Sequence, residues 1–339
     1  MASTAQSRIK SISYAKYGYM FIAPFFIVYA FFQVWPLINT FILSLHGNGL
    51  AAQDTFVGMD NFKDLLFGGD SRSVARVHSD FFRDLGNTVL LWVGNFILQI
   101  FLSLLLAVWF TDSKLHIPGQ GFFKVVMYLP NIITAVSVAA LFMRFFSNSS
   151  MCLANSLISG EAIRFEDSAV WSRAIVMFIQ TWMWFGNTMI MMMSGILGIN
   201  PSLFEAAAID GASSGQVLTK ITLPLLRPMV VYTLITSMIG GLQMFDIPYL
   251  YHTSPNTVNP LLETAAVFVY SKFRVNPDKV QYGYAGAASI VLFLITALLG
   301  LIVFRMNRDE DEHRKKKERK ALIKAYKQEQ KMAKAGGID

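Results

Sequence analysis

At 339 residues, 54% hydrophobic and only 15% charged, the chain is too apolar for an ordinary soluble domain, where about 25% of residues are charged. Its net charge of +7 does not mark a nucleic-acid binder, because the basic run at 305–339 carries no aromatic platform among its charges. Cys152 is the single cysteine, which rules out an intramolecular disulfide.

Six stretches contain no Asp, Glu, Lys or Arg: 17–53, 85–111, 125–143, 174–204, 228–245 and 280–304. A helix rising about 1.5 Å per residue needs about 20 residues to cross a hydrocarbon core ~30 Å thick. The expected fold is therefore all-α and integral to a membrane, with six transmembrane helices. Three parts follow: a short N-terminus at 1–16, a membrane domain at 17–306 and a basic tail at 307–339. No internal repeat or separate soluble domain is evident.

Arg8, Lys10 and Lys16 precede the first apolar run. That run is longer than the about 7–15 apolar residues of a signal peptide, and it carries Pro24 and Pro36 without a small-residue cleavage site, so it reads as a retained anchor. Residues 46–84 form a polar connection in which Asn61 to Phe67 has the pattern of a short amphipathic surface helix. The second span is expected from near Asn87 to near Thr111, and Pro118-Gly119 turns the chain back. A third runs from about Phe122 to Phe146, kinked at Pro130.

After a loop at 147–172, the fourth and fifth spans are expected at about 173–198 and 224–245. A segment with Pro248, Pro255, Pro260 and Pro277 leads to the last span, which opens on Gly283, Gly286, Ala287, Ala288 and Ser289. Such small residues let helix backbones approach closely in lipid, so this end is expected to pack against a neighbouring helix. The tail holds 12 basic and 7 acidic residues, and Glu310–Arg314, Asp311–Lys315 and Glu312–Lys316 are favourable i,i+4 pairs for a solvated helix.

With the N-terminus cytoplasmic, the inside segments hold 19 basic residues against 10 outside, although 12 of the 19 lie in the tail. Both termini inside is the consistent solution for an even number of spans.

The segment between the fourth and fifth spans is unlike a plain connection. Ser202-x-x-Glu205 and Ser213-x-x-Gln216 both have capping-box spacing, predicting two short helices. Gly211 is suited to end the first, because it accepts a left-handed conformation, and Pro224 and Pro228 are expected to limit the second. The small side chains of Ala206, Ala207 and Ala208 would let another backbone come close. Spacing alone leaves two readings open, a docking unit or a helical hairpin lying on the membrane surface.

Polar residues inside spans tend to face the bundle interior or a cavity. Gln180, Trp184 and Asn187 share a helical face with Met183, and Thr236, Gly240 and Gln243 repeat that spacing with Ile239 adjoining. Amides beside an aromatic face suit a sugar, which presents hydroxyls at its rim and C–H groups on its ring faces. Membrane Asn and Gln also hydrogen-bond neighbouring helices, the reading preferred for Asn95 and Gln99. Arg144 and Arg173 fall near span ends, where they snorkel, or else face the pathway and favour an acidic or phosphorylated sugar. No paired carboxylates, nucleophile elbow or ligand-spaced histidines occur, so neither a catalytic site nor a metal site is expected.

Glu205-Ala206-Ala207, Asp210-Gly211-Ala212 and Ile221-Thr222-Leu223-Pro224 resemble the EAA motif of permease subunits from bacterial ABC importers. The resemblance is close to the sugar-importer branch, which includes the maltose-type and glycerol-3-phosphate-type permeases. It extends over nearly the whole chain: Tyr19 to Pro24, Trp35-Pro36, Asn87-Thr88, Tyr128-Leu129-Pro130, Gln180-Thr181-Trp182 and Tyr282-Gly283-Tyr284-Ala285 resemble successive family positions. The basic tail is longer than the family pattern.

This resemblance implies that Glu205, Ala206, Ala207, Asp210, Gly211 and Ala212 form a coupling helix seated on a cytoplasmic ATPase subunit. It also implies that Gln180, Met183, Trp184, Asn187, Thr236, Ile239, Gly240 and Gln243 align with positions lining a sugar pathway. The implied assembly is two permeases, two ATPases and a solute-binding protein in a bacterial inner membrane. The chain has no Gly-x-x-x-x-Gly-Lys-Ser/Thr phosphate loop, so no cofactor is expected in it, and ATP and Mg would be bound by the partner ATPases. A self-contained secondary transporter is the alternative, though the inverted repeat expected of one is not seen. A membrane-embedded enzyme or scaffold is a further one.

Overall fold

The computed structural model describes residues 15–48, 55–112, 115, 117–157, 161–251, 259–274, 281–306, 319 and 323. The tail pairs, most of the N-terminus, His116, His252, His313, Pro255 and Pro277 lie outside the described residues. Those described are helical apart from turns and one isolated bridge, His46 with Phe56. Among the described residues, five helical stretches are long and apolar enough to cross a membrane, and a sixth if a bent pair counts as one span.

The chain divides into two compact units, Met1–Phe81 with Val269–Val291, and Phe82–Phe268 with Leu292–Asp339. In the first, α1 (Ala15–Tyr29) continues through a π-helical turn at Ala30–Val34 into α2 (Trp35–Ser44). A short α3 (Asp60–Phe67) follows, one residue longer than expected at its start. α14 (Tyr282–Met306) begins in this unit. A Cβ at Gly283 would collide with the His46 carbonyl, and one at Gly286 would lie 2.9 Å from the Thr40 carbonyl. The small-residue cluster thus packs the start of α14 on the end of α2, as its composition predicts.

In the second unit most of α4 (Arg72–Thr111) packs beside α8 (Ala169–Leu197). Between them the third span departs from expectation. Instead of one kinked helix, α5 (Gln120–Tyr128) passes into a 3₁₀ turn at Leu129–Ile132 and meets α6 (Ala135–Phe145) at 96°. Pro130 has no N–H to continue the α-helical ladder, and Thr134 restarts it by accepting a hydrogen bond from the Ser137 amide. α7 (Leu153–Leu157), α9 (Pro201–Ile209), α10 (Ser214–Val217), α11 (Leu223–Leu242), α12 (Asp246–Leu250) and α13 (Ala265–Arg274) complete the described helices.

Among the described residues, two apolar clusters lie in the core of this unit. One gathers Leu91, Val138, Ile179, Met183, Ile247 and Leu262, the other Ala107, Phe185, Met189, Met192 and Leu226. α8 contributes to both, which makes it the central element of the unit.

Candidate functional site

Two regions hold the residues singled out by sequence: the hairpin of α9 and α10, and the exposed faces of α8 and α11.

The first hairpin helix starts differently from its expected capping box. Asn200 is the N-cap, its Oδ1 accepting from the Ser202 amide at 3.1 Å, and Pro201 occupies the first turn. Proline's fixed φ and missing N–H suit that position, so Ser202 falls inside the helix and Glu205 is left exposed rather than bound to a cap. The second box does form: the Ser213 hydroxyl accepts from the Gln216 amide, and Gln216 Oε1 accepts from the Ser213 amide at 2.8 Å.

Gly211, at φ +68°, ends α9. The Ala212 amide reaches back to the Ala207 carbonyl at 2.9 Å, and the Gly211 amide to that of Ala208 at 3.2 Å. These two bonds make a Schellman motif, which closes orphan carbonyls and requires the left-handed residue that glycine supplies.

Beyond α10 the chain does not stop at Pro224 and Pro228. A π turn at Leu218–Thr222 joins α10 directly to α11, with Pro224 in the first turn of α11 and Pro228 inside it. The hairpin is therefore continuous with a span. Ala207 is buried, whereas Glu205, Ala206, Asp210 and Gly211 are exposed and Ala212 is half-buried. Ile209, a large apolar side chain, is 86% exposed at the tip. Behind α9 lies a cleft of about 520 Å³, bordered by Phe204, Glu205, Ala208 and Ala212 and by Ile196 and Ile199 at the end of α8.

The second region divides. Trp184 and Asn187 lie exposed on α8, Trp184 at 47%. Gln180 and Met183 are buried, Met183 within the first core cluster. On α11 and just beyond it, Thr236, Ile239, Gly240 and Gln243 are all exposed, giving one uninterrupted face. The Thr236 hydroxyl donates back to the carbonyl of Tyr232 or Thr233.

A polar seam that the sequence reading only partly anticipated holds α8 in place. The main-chain carbonyl of Asn95 accepts from the Thr181 hydroxyl, the Gln99 side chain donates to the Thr188 hydroxyl at 2.7 Å, and Ser103 donates to the Phe185 carbonyl at 2.8 Å. Residues 95, 99 and 103 recur every fourth position along one face of α4. On another side Asn131, in the 3₁₀ turn, donates to the Met183 carbonyl at 3.3 Å. A Cβ at Gly186 would collide with the Met127 carbonyl, so α8 and α5 touch backbone to backbone. The signal missed was Gly186: a lone glycine in a span marks close approach.

At the N-terminal end of α8, Arg173 donates to Asn87 Oδ1 at 2.7 Å and to the Leu261 carbonyl at 3.2 Å. Asn87 donates in turn to the Pro260 and Glu263 carbonyls, and Arg83 pairs with Glu263 at 2.9 Å. The Arg173 guanidinium is thereby engaged in a clamp joining α4, α8 and the segment before α13. Nearby, the Tyr251 phenol donates to the Phe146 carbonyl at 2.8 Å. Burial pushes its pKa above the ordinary tyrosine range, with the Glu166 carboxylate adding to the shift.

Residues 99–308 match the family described as binding-protein-dependent transport system inner membrane component. The lactose transport system permease protein LacF of Rhizobium radiobacter is 30% identical over 319 residues, covering 91% of this chain and 99% of the relative. The arabinooligosaccharides transport system permease protein AraP of Bacillus subtilis (strain 168) is 27% identical, covering 90% and 94%. The fold is similar to a chain in the crystal structure of a bacterial alginate ABC transporter in complex with an alginate pentasaccharide-bound periplasmic protein. That similarity has a TM-score of 0.70 at 25% identity and covers 87% of this chain and 94% of the other.

Proposed function

The chain belongs to the binding-protein-dependent transport system inner membrane component family, and from that membership we propose that it is the permease subunit of an ATP-driven importer that translocates a carbohydrate, most simply an oligosaccharide. It is a multi-pass membrane protein of the inner membrane, and its family role is transport rather than catalysis. The substrate class is supported by relatives named for lactose and arabinooligosaccharides and by an alginate transporter of similar fold. Docking of a solute-binding protein is supported by the periplasmic protein held in that last complex.

The observation that carries the reading is the α9–α10 hairpin. Its Schellman-terminated tip leaves Ile209 uncovered, and its second arm runs without a break into α11. Such a unit transmits displacement from a partner into a span as a rigid lever. On this reading Glu205, Ala206, Ile209 and Asp210 meet a cytoplasmic ATPase subunit, while Ala207 is an internal packing residue. Gly211 and Ala212 close the motif. Two ATPases bind and hydrolyse ATP with Mg, a second permease completes the pathway, and both termini lie in the cytoplasm, with 1–16 and 307–339 flanking the membrane domain.

Trp184 and Asn187 of α8, with Thr236, Ile239, Gly240 and Gln243, form this chain's wall of the sugar pathway. An indole face stacks on the C–H surface of a pyranose and the amides bond its hydroxyls. Gln180 and Met183 support that wall from behind.

The test is ATP-driven uptake of labelled oligosaccharides by proteoliposomes containing both permeases and the ATPases, with binding protein supplied. Uptake that requires every component is expected. Uptake by this chain alone, driven by an ion gradient, contradicts the proposal.

A further inference from the structure

We propose that α3 is an interfacial anchor whose outward face lies in the headgroup–acyl boundary of the lipid bilayer. Its inward face is fully engaged: Asn61, Phe62 and Leu65 are buried. Asn61 donates to the Ser44 and His46 carbonyls at 2.8 and 2.7 Å and accepts from Asn48 at 2.9 Å. The Tyr284 hydroxyl donates to Asp64 at 2.8 Å, and its amide to Asn48 Oδ1 at 3.0 Å. These bonds staple α3 to the last turn of one membrane-length helix, which ends at Ser44, and to the first turn of another, which starts at Tyr282. The helix is held where two spans leave the hydrocarbon.

The opposite face is mixed: Lys63 pairs with Asp60 at 3.0 Å, both exposed, and large apolar side chains flank that pair. Met59, just before α3, Lys63 and Phe67 recur every fourth residue and so share one face, about 40° apart per step. Met59 is 56% and Phe67 82% exposed, and the Lys63 side chain between them is 68% exposed. Phe56, 71% exposed, is a third apolar group in the segment leading into α3, held by its bridge to His46. An exposed ion pair set between large apolar side chains is the arrangement in which the charged heads stay at headgroup level while the apolar groups and the lysine stem enter the acyl boundary. Lipid is the occupant because α3 is bonded to the ends of two helices of membrane-spanning length and apolarity, which holds its outward face at the level where those spans leave the hydrocarbon.

The test uses the full-length chain in lipid nanodiscs, with Cys152→Ala removing the native thiol. Spin labels are placed by Met59→Cys, Phe67→Cys and, as a solvent reference, Asp70→Cys. Each variant is read with and without the purified solute-binding protein of the same transport system. At 59 and 67, accessibility to a water-soluble nickel chelate should fall about fivefold below that at 70, with high oxygen accessibility and no response to the binding protein. Chelate accessibility equal to that at 70, or protection that develops only on adding the binding protein, would overturn the proposal. The second outcome would assign the face to protein docking.

Discussion

Gln99 and Thr188 meet across 2.7 Å in the middle of two apolar helices, and both are buried. Neither has water to turn to, so the pair fixes how α4 and α8 are rotated about each other. Membrane hydrogen bonds of this kind contribute about 0.6 kcal/mol on average and up to about 1.7. Thr188→Val leaves the Gln99 amide without that acceptor, whereas Gln99→Leu with Thr188→Val removes both groups. Thermal unfolding in detergent should show the single variant less stable by about 1–2 kcal/mol and the double variant less affected than the sum of the two singles.

Packing at Gly186 is stricter. Any side chain there meets the Met127 carbonyl, a backbone atom that cannot rotate away. Gly186→Leu should lower stability by about 3 kcal/mol or prevent assembly of α5 on α8. Gly121→Ala, on the same partner helix but with nothing within 4 Å of the new methyl, should be neutral or stabilising by about 0.5–1 kcal/mol. Comparing the two melting temperatures checks both.

For Tyr251 the sign of the pH dependence is set. Its folded-state pKa is raised, so its stabilising contribution is complete below the unfolded value of about 10 and is lost as pH rises through the folded value. Wild-type stability should therefore fall more steeply as pH rises above about 10 than that of Tyr251→Phe. At neutral pH the same substitution should cost about 1 kcal/mol through the lost bond to the Phe146 carbonyl. Parallel slopes for the two proteins would contradict this.

Substitutions in the hairpin should separate folding from transport. Gly211→Val places a β-branched residue at φ +68° and opens the turn after α9. Glu205→Lys reverses an exposed charge without touching a cap. In reconstituted transporters both should insert normally, keep ATP hydrolysis and lose about tenfold or more of uptake. Wild-type uptake in both would argue against the lever.

Much of the fold was legible because charge-free length and small-residue clustering are properties of the chain itself. Five of the six spans, the amphipathic helix after the first of them and the packing of Gly283 and Gly286 all follow from those signals, whereas the third span is broken at Pro130. What was not legible depended on competition between local choices. Asn200 displaced Ser202 as the cap because Pro201 fits the first helical turn, and the π turn at Leu218–Thr222 let the chain continue past prolines expected to stop it. The seam partner Thr188 was hidden because a lone hydroxyl in an apolar run draws no notice, whereas Ser103 continues the four-residue period of Asn95 and Gln99 and could have been read from it. Ala207 and Gln180 show the converse limit: helical spacing places residues on a face without saying which face is covered.

The most direct test of the lever is chemical capture at its tip, and the geometry selects Ile209 rather than buried Ala207. With Cys152→Ala and Ile209→Cys in the assembled transporter, a short bifunctional thiol reagent should join this chain to an ATPase subunit bearing single cysteines along its membrane-facing groove. The yield should change when ATP is added without hydrolysis. An assembled, transport-competent complex that gives no such product from any groove position, with or without nucleotide, would contradict the account.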